Sequence, residues 1–254
     1  MGQLFTDVAE WGAAGHVEVD LITREDLLGA DVVLLCDEQP PLLDWSLRLS
    51  EVVHHLRGAL DSMTYELAGI NNPSNSARES VLWPVAKSQA EWDSIVEKRN
   101  LEVIPSEYLD RIRRAQAFTK TKTNDADPYQ TLAALSNHDK HRGMIETAPQ
   151  LDGITGALRL SRAGDKSPGV DGSLKVTSGE FSLTSGTVLI SYSWDIPMTV
   201  DLGQSNQIVP FRWVVKVART GAVMELEALR AMFLAVVQVM TWTCTGKGNF
   251  QPGT

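Results

Sequence analysis

Two clusters of titratable and hydrogen-bonding side chains are the parts of this sequence best suited to chemistry. Histidine exchanges protons near neutral pH, and arginine and asparagine can hold a phosphate group. The clusters therefore predict either acid–base chemistry on a phosphate ester or a hydrogen-bonded lattice that fixes the fold. The candidate site residues are His55, Arg57, Asp61, Asn137, Asp139, Lys140, His141 and Arg142.

The first cluster falls on one long predicted helix. Apolar residues recur three and four residues apart along residues 44–68, which is the spacing of an amphipathic helix. Arg57 and Asp61 are four residues apart, so they are neighbours on one flank. His54 falls close to that flank, and His55 falls on the opposite one.

The second cluster ends a shorter predicted helix. Asp139 falls on the same helical stripe as Leu132 and Leu135. An unpaired carboxylate on an apolar stripe is costly, so Asp139 is predicted to pair with Arg57 or Arg142. Such a pair would tie the short helix to the long one.

The elements around these clusters predict an α+β fold. Residues 14–36 read as two strands, and residues 92–98 and 107–118 as short helices. From residue 153 short apolar runs alternate with glycine and serine, which indicates an antiparallel sheet of four or five strands. A second strong helix covers residues 223–240.

We expect two parts that pack as one interleaved unit. Residues 1–148 hold the N-terminal strands and a bundle-like helical part. Residues 149–254 hold the antiparallel sheet, closed by the long C-terminal helix. The order strands, helices, strands, helix is typical of α+β rather than alternating α/β architecture.

Composition places the chain among ordinary globular proteins. It has 254 residues, 43% hydrophobic and 22% charged, with a formal net charge of −9. This charge argues against a protein that coats nucleic acid. Residues 111–142 nevertheless contain seven basic and three acidic side chains. This segment could bind RNA or a phosphate ligand, or it could be ordinary solvated surface.

The sequence lacks the motifs that are typical of several functional classes. Cys36 and Cys244 form neither a metal motif nor a disulfide framework. No signal peptide is visible, and the apolar stretch 231–242 is shorter than a membrane span. Without a P-loop, a Rossmann glycine pattern or a nucleophile elbow, we predict no cofactor. The chain is expected to be cytoplasmic, with no membrane association.

The two clusters also carry a resemblance. Pro40-Pro41, Trp45-Ser46-Leu47, the run 55–61 and the run 135–142 resemble a family of uncharacterised bacterial and phage-associated proteins. The similarity covers about residues 10–145 and implies no function. Ser62 stands where that family is expected to carry a second histidine.

More remotely, the helical part is similar to HEPN domains. Their motif is an arginine followed after four to six residues by a histidine, and Arg48 with His54 or His55 fits it. HEPN domains are helical bundles, often dimeric, and many cut RNA without a metal. The resemblance implies a possible homodimer and a possible ribonuclease activity.

Three functions remain open from the sequence. In a metal-independent phosphodiesterase, His55 and His141 would be the acid–base pair, with Lys140 as an alternative acid. The groups that would hold the phosphate are Arg57, Arg142 and Asn137. In a metal-binding protein, the ligands would come from His138, His141, His55 and Asp61 or Asp139. In a non-catalytic binding protein, both clusters would be structural, and the β-rich half would bind a partner.

Overall fold

The fold is α+β in a computed structural model, which describes residues 2–71, 73–119, 127–142, 145, 147–151, 154–164, 170–176, 179–180, 183–202, 211–217 and 222–247. Its helices are α1 (Gly2–Ala13), α2 (Leu42–Gly69), α3 (Asn75–Arg78), α4 (Gln89–Lys98), α5 (Ser106–Arg114), α6 (Pro128–Arg142) and α7 (Leu226–Thr245). Its strands are β1 (Val17–Thr23), β2 (Gly29–Cys36), β3 (Thr147–Leu151), β4 (Ile154–Arg162), β5 (Val170–Val176), β6 (Gly179–Glu180), β7 (Val188–Ser193), β8 (Met198–Leu202), β9 (Phe211–Val217) and β10 (Ala222–Glu225). The predicted fold class is confirmed, including a C-terminal helix that follows the strands.

The chain forms two compact units, each built from two separate segments. Residues 1–45 and 146–216 form the first, here called the strand unit. Residues 46–145 and 217–254 form the second, here called the helical unit.

Antiparallel pairing organises the strand unit. β1 pairs with β2 from Val17 opposite Cys36 to Thr23 opposite Ala30. β2 also pairs with β7, so the N-terminal strands share a sheet with a strand from the later half of the chain. β4 lies between β5 and β8, and β3 lies between β6 and β9.

Helix α1 of the strand unit has no counterpart among the predicted elements. Its buried face consists of Leu4, Phe5, Val8 and Trp11, at the spacing of an amphipathic helix. Trp11 packs edge-to-face against Trp45 and Trp213, with ring centroids 6.2 Å and 5.6 Å away. This aromatic contact anchors the helix.

Helix α2 confirms the long helix predicted over residues 44–68 and is the spine of the helical unit. Leu49, Val53 and Leu60 on its apolar stripe are fully buried. An arginine from outside the helix adds a hydrogen bond near its C-terminus: Arg78 donates to the Tyr65 carbonyl at 3.0 Å.

Helix α7 has the same arrangement at its C-terminus, where Arg111 donates to the Thr243 carbonyl at 2.9 Å. Gly246 ends the helix with φ +66°, a left-handed conformation that suits glycine. By length and composition, α7 is also the one described helix that could cross a membrane, which is weak evidence because core helices pass the same test. Its buried face includes Leu229, Phe233 and Val236. The predicted lack of membrane association stays a prediction.

Candidate functional site

The Arg57–Asp61 flank of α2 forms a two-point ion pair. Arg57 Nε donates to Asp61 Oδ2 at 3.2 Å, and Arg57 Nη2 lies 3.0 Å from Asp61 Oδ1. Their side chains retain only 14% and 23% of their exposure, so this is not a freely solvated surface pair. The helical spacing predicted this contact, because residues four apart share one flank.

The same pair binds both backbone polar groups of a single buried residue, Trp83. Asp61 Oδ1 accepts the Trp83 backbone N–H at 2.9 Å. Arg57 Nη2 donates to the Trp83 carbonyl at 3.0 Å, and Arg99 Nη1 donates to that carbonyl at 3.1 Å. Burial, together with the nearby Arg57 charge, lowers the pKa of Arg99 below its usual value. Two guanidinium groups therefore converge on the Trp83 carbonyl, and one carboxylate accepts the Trp83 N–H.

Trp83 belongs to a buried segment without regular secondary structure. Val81, Trp83 and Ala86 are at most 1% exposed, so their backbone groups need partners within the protein. Gln116 supplies one, because its Oε1 accepts the Ala86 N–H at 3.0 Å while its Nε2 donates to the Ile112 carbonyl at 3.1 Å. Side chains of α2 and of the segment after α5 thus replace the ladder bonds that a strand would provide.

We name this arrangement the Trp83 network, comprising Arg57, Asp61, Trp83, Ala86, Arg99 and Gln116. Sequence reasoning identified Arg57 and Asp61 but missed the other members. The available signal was the apolar stretch 82–85 between polar loops, with Pro84 holding the residue before it in an extended conformation. An extended apolar stretch that lies outside a sheet must obtain its hydrogen bonds from side chains.

His54 and His55 lie on the exposed side of the same helix. Their ring centroids are 6.0 Å apart in an edge-to-face arrangement. Arg48, the arginine of the HEPN-like spacing, is half-buried almost two turns earlier in the same helix. The structure thus separates the first cluster into a partly buried ion pair and two exposed histidines.

Helix α6 carries the second cluster at its C-terminal end. Asp127 caps the start of the helix, accepting the Tyr129 and Gln130 N–H groups at 3.0 Å and 2.9 Å, and proline occupies the first helical position. The Tyr129 ring packs against Trp83 with centroids 5.3 Å apart. The start of α6 therefore joins the Trp83 network.

For the second cluster, the structure describes the backbone and the side chain of its first member, Asn137. Asn137 is exposed. The side chains of Asp139, Lys140, His141 and Arg142 lie outside the described residues, as does that of His138. Leu132 and Leu135 on the predicted stripe are fully buried. The predicted pairing of Asp139 stays a prediction.

The basic segment 111–142 is partly used for structure. Arg111 caps α7 and also pairs with Glu107 at 3.7 Å. Arg113 donates to Gln89 Oε1 at 2.7 Å, and Arg114 is exposed. Lys120 and Lys122 lie outside the described residues. Binding of RNA or phosphate by this segment stays a prediction.

Metal binding has little support in the part of the chain that the structure describes. No group of three or more histidine, cysteine, aspartate or glutamate side chains is arranged there to hold a metal ion. The described residues of the predicted ligand set are His55, which is exposed, and Asp61, whose oxygens bind Arg57 and Trp83.

Comparisons of the chain with known protein families, curated proteins and solved structures found no match. The resemblances to an uncharacterised bacterial and phage family and to HEPN domains therefore stay predictions. Function has to be argued from the site alone.

Proposed function

We propose that this is a non-catalytic binding protein whose Arg57–Asp61 motif belongs to the scaffold. One observation carries the proposal: both members of the pair bind the backbone of the buried Trp83. A group that catalyses a reaction must reach its substrate, whereas these groups are directed at the buried backbone N–H and carbonyl of Trp83, which need partners.

The surroundings of the pair support the same role. Arg99 adds a second guanidinium to the Trp83 carbonyl, and Tyr129 of α6 packs on the Trp83 ring. The network therefore links α2, the segment after α4 and the start of α6 through one residue. Removing a member should weaken the fold rather than a reaction.

A second candidate, metal-independent cleavage of RNA, is favoured by the exposed His54–His55 pair. The accessible His55 imidazole can serve as base or acid in attack by a ribose 2′-hydroxyl, with His141 as the second group of the pair. Exposed Asn137 and Arg114 are further groups that can bind a phosphate oxygen. The homodimer and the RNA or phosphate ligand stay predictions.

One experiment separates the two candidates. Purified wild-type protein, His55→Ala, His141→Ala and Asp61→Asn are incubated with a fluorescent single-stranded RNA in the presence of a chelator, and each is unfolded in urea. We expect no cleavage by any protein and loss of stability only in Asp61→Asn.

Cleavage by the wild type that is lost in His55→Ala or His141→Ala, with stability unchanged, would establish the second candidate instead. Elemental analysis of the purified protein, before any chelator is added, tests the remaining metal hypothesis. A stoichiometric bound metal that His138→Ala removes would contradict a purely structural role.

A further inference from the structure

We propose that His16 is a protonation-sensitive latch in the strand unit, which fastens the junction of α1 and β1 to the end of β2. His16 directly precedes β1, and Asp37 directly follows β2. The Asp37 N–H donates to the His16 carbonyl at 3.2 Å, which adds one more pair to the β1–β2 ladder. The latch therefore lies where that ladder ends.

Both nitrogens of the His16 ring face a carboxylate. Nδ1 lies 2.9 Å from Asp37 Oδ1, and Nε2 lies 3.5 Å from Glu38 Oε2. A neutral imidazole has one N–H, so it can donate to only one of these oxygens. The imidazolium form can donate to Asp37 in a charge-assisted hydrogen bond and at the same time form an ion pair with Glu38.

The ring is held in place from the side of α1. Trp11 lies against it with centroids 5.3 Å apart and the planes tilted by 32°. This contact places the imidazole beside an indole ring. The His16 side chain keeps 20% of its exposure, which leaves it accessible to protons from solvent.

The two charged side chains that contact the His16 ring are both carboxylates. From the end of β2 they are Asp37 and Glu38, and from α1 the ring meets the uncharged Trp11. The Cys36 thiol, which donates to the Glu38 carbonyl at 3.2 Å, stays neutral because burial and the nearby Asp37 raise its pKa.

Amide hydrogen exchange at Asp37 tests the latch directly, because this N–H closes the His16–Asp37 pair. Exchange is measured by NMR at about pH 5.5 and about pH 8, because histidine changes charge over this range. Each rate is divided by the intrinsic exchange rate at the same pH to give a protection factor. We expect protection in the wild type to fall about two- to fivefold at the higher pH, the range for partly exposed ion pairs.

Matched variants assign this pH dependence to the latch. His16→Gln and the double variant Asp37→Asn/Glu38→Gln should show equal protection at both pH values. Asp20→Asn, an exposed carboxylate on β1, should behave like the wild type. Tryptophan emission gives a second readout: imidazolium contact quenches an indole, so emission should fall at low pH in the wild type but not in His16→Gln.

Two results would overturn the proposal. One is wild-type protection of Asp37 that is equal at both pH values. The other is a pH dependence of the same size in His16→Gln, which would place the titrating group elsewhere.

Discussion

The helical unit and the strand unit use charged side chains in opposite ways. In the helical unit, Arg57 and Asp61 are largely withdrawn from solvent and bind the backbone of Trp83. In the strand unit, His16 bridges two carboxylates that keep 79% and 65% of their exposure. The first arrangement satisfies buried peptide groups, whereas the second joins side chains at the surface.

The difference teaches that burial, rather than residue type, decides what a charged motif does. A buried N–H or carbonyl that loses its partner pays the full cost of desolvation, whereas an exposed ion pair is replaced by water. The Trp83 network should therefore dominate stability, and the surface pairs should contribute small, pH-dependent effects. Four predictions test this ranking.

The largest effect is expected for Arg57→Ala. It removes a donor to the Trp83 carbonyl and leaves the Asp61 carboxylate without its cation, which should lower the free energy of unfolding by about 3 kcal/mol. Urea denaturation measures the change. Glu51→Ala, an exposed position on the same helix, is the control and should stay within about 0.5 kcal/mol. Equal effects of the two variants would remove the basis for a structural motif.

Gln116→Leu should have the next largest effect. Leucine fills similar space but leaves the buried Ala86 N–H without an acceptor, so stability should fall by about 2 kcal/mol. The matched substitution Gln89→Leu changes an exposed glutamine and should be nearly neutral. If Gln116→Leu is as stable as the wild type, the buried segment obtains this hydrogen bond elsewhere.

Alanine substitutions at two glycines of α2 should change stability by a smaller amount, with opposite signs at the two positions. A Cβ at Gly58 meets nothing within 4 Å, so Gly58→Ala should stabilise the protein by about 0.5–1 kcal/mol. A Cβ at Gly69 would lie 2.9 Å from Arg78 Nη2, so Gly69→Ala should displace that arginine from the Tyr65 carbonyl and destabilise by about 1 kcal/mol. Thermal unfolding of both variants measures the contrast, and stabilisation by Gly69→Ala would show that Arg78 does not support α2.

The smallest effect is expected at the Arg24–Asp31 pair of the strand unit. Hydrogen bonds from Arg24 and Ser191 lower the pKa of Asp31. Because its folded value lies below its unfolded value of about 3.9, the pair contributes stability above that pH and loses it as the pH falls further. The Tm difference between wild type and Asp31→Asn should therefore be present at about pH 6 and shrink in acid. A Tm difference that grows in acid would contradict a lowered pKa of Asp31 in the folded protein.

The helices of the helical unit were largely predictable, because their apolar spacing repeats over several turns. α2 matches its predicted segment closely, whereas α7 begins three residues and ends five residues later than predicted, because residues 223–225 belong to β10. The start of α6 follows from Asp127 and Pro128. Helix α1 was missed although Leu4, Phe5, Val8 and Trp11 carry the same periodicity. A single short amphipathic helix gives a weak signal, and its partners Trp45 and Trp213 are distant in sequence.

The candidate site was predictable only in part, for a related reason. Arg57 and Asp61 are helix neighbours, so their pairing follows from local geometry. Arg99 and Gln116 reach the same segment from positions 16 and 30 residues beyond their backbone partners. The spacing of residues along a single helix or strand cannot predict contacts over such sequence distances.

The sequence by itself determined the fold class, the long helices and the existence of an Arg57–Asp61 pair, because these depend on residues within a few turns of one another. The tertiary structure decided what the pair binds, which histidines remain exposed, and that His16 meets Asp37 across a strand pair. Those outcomes depend on which backbone groups are buried without a partner. Burial is a property of the packed chain, so residue type and spacing leave it open.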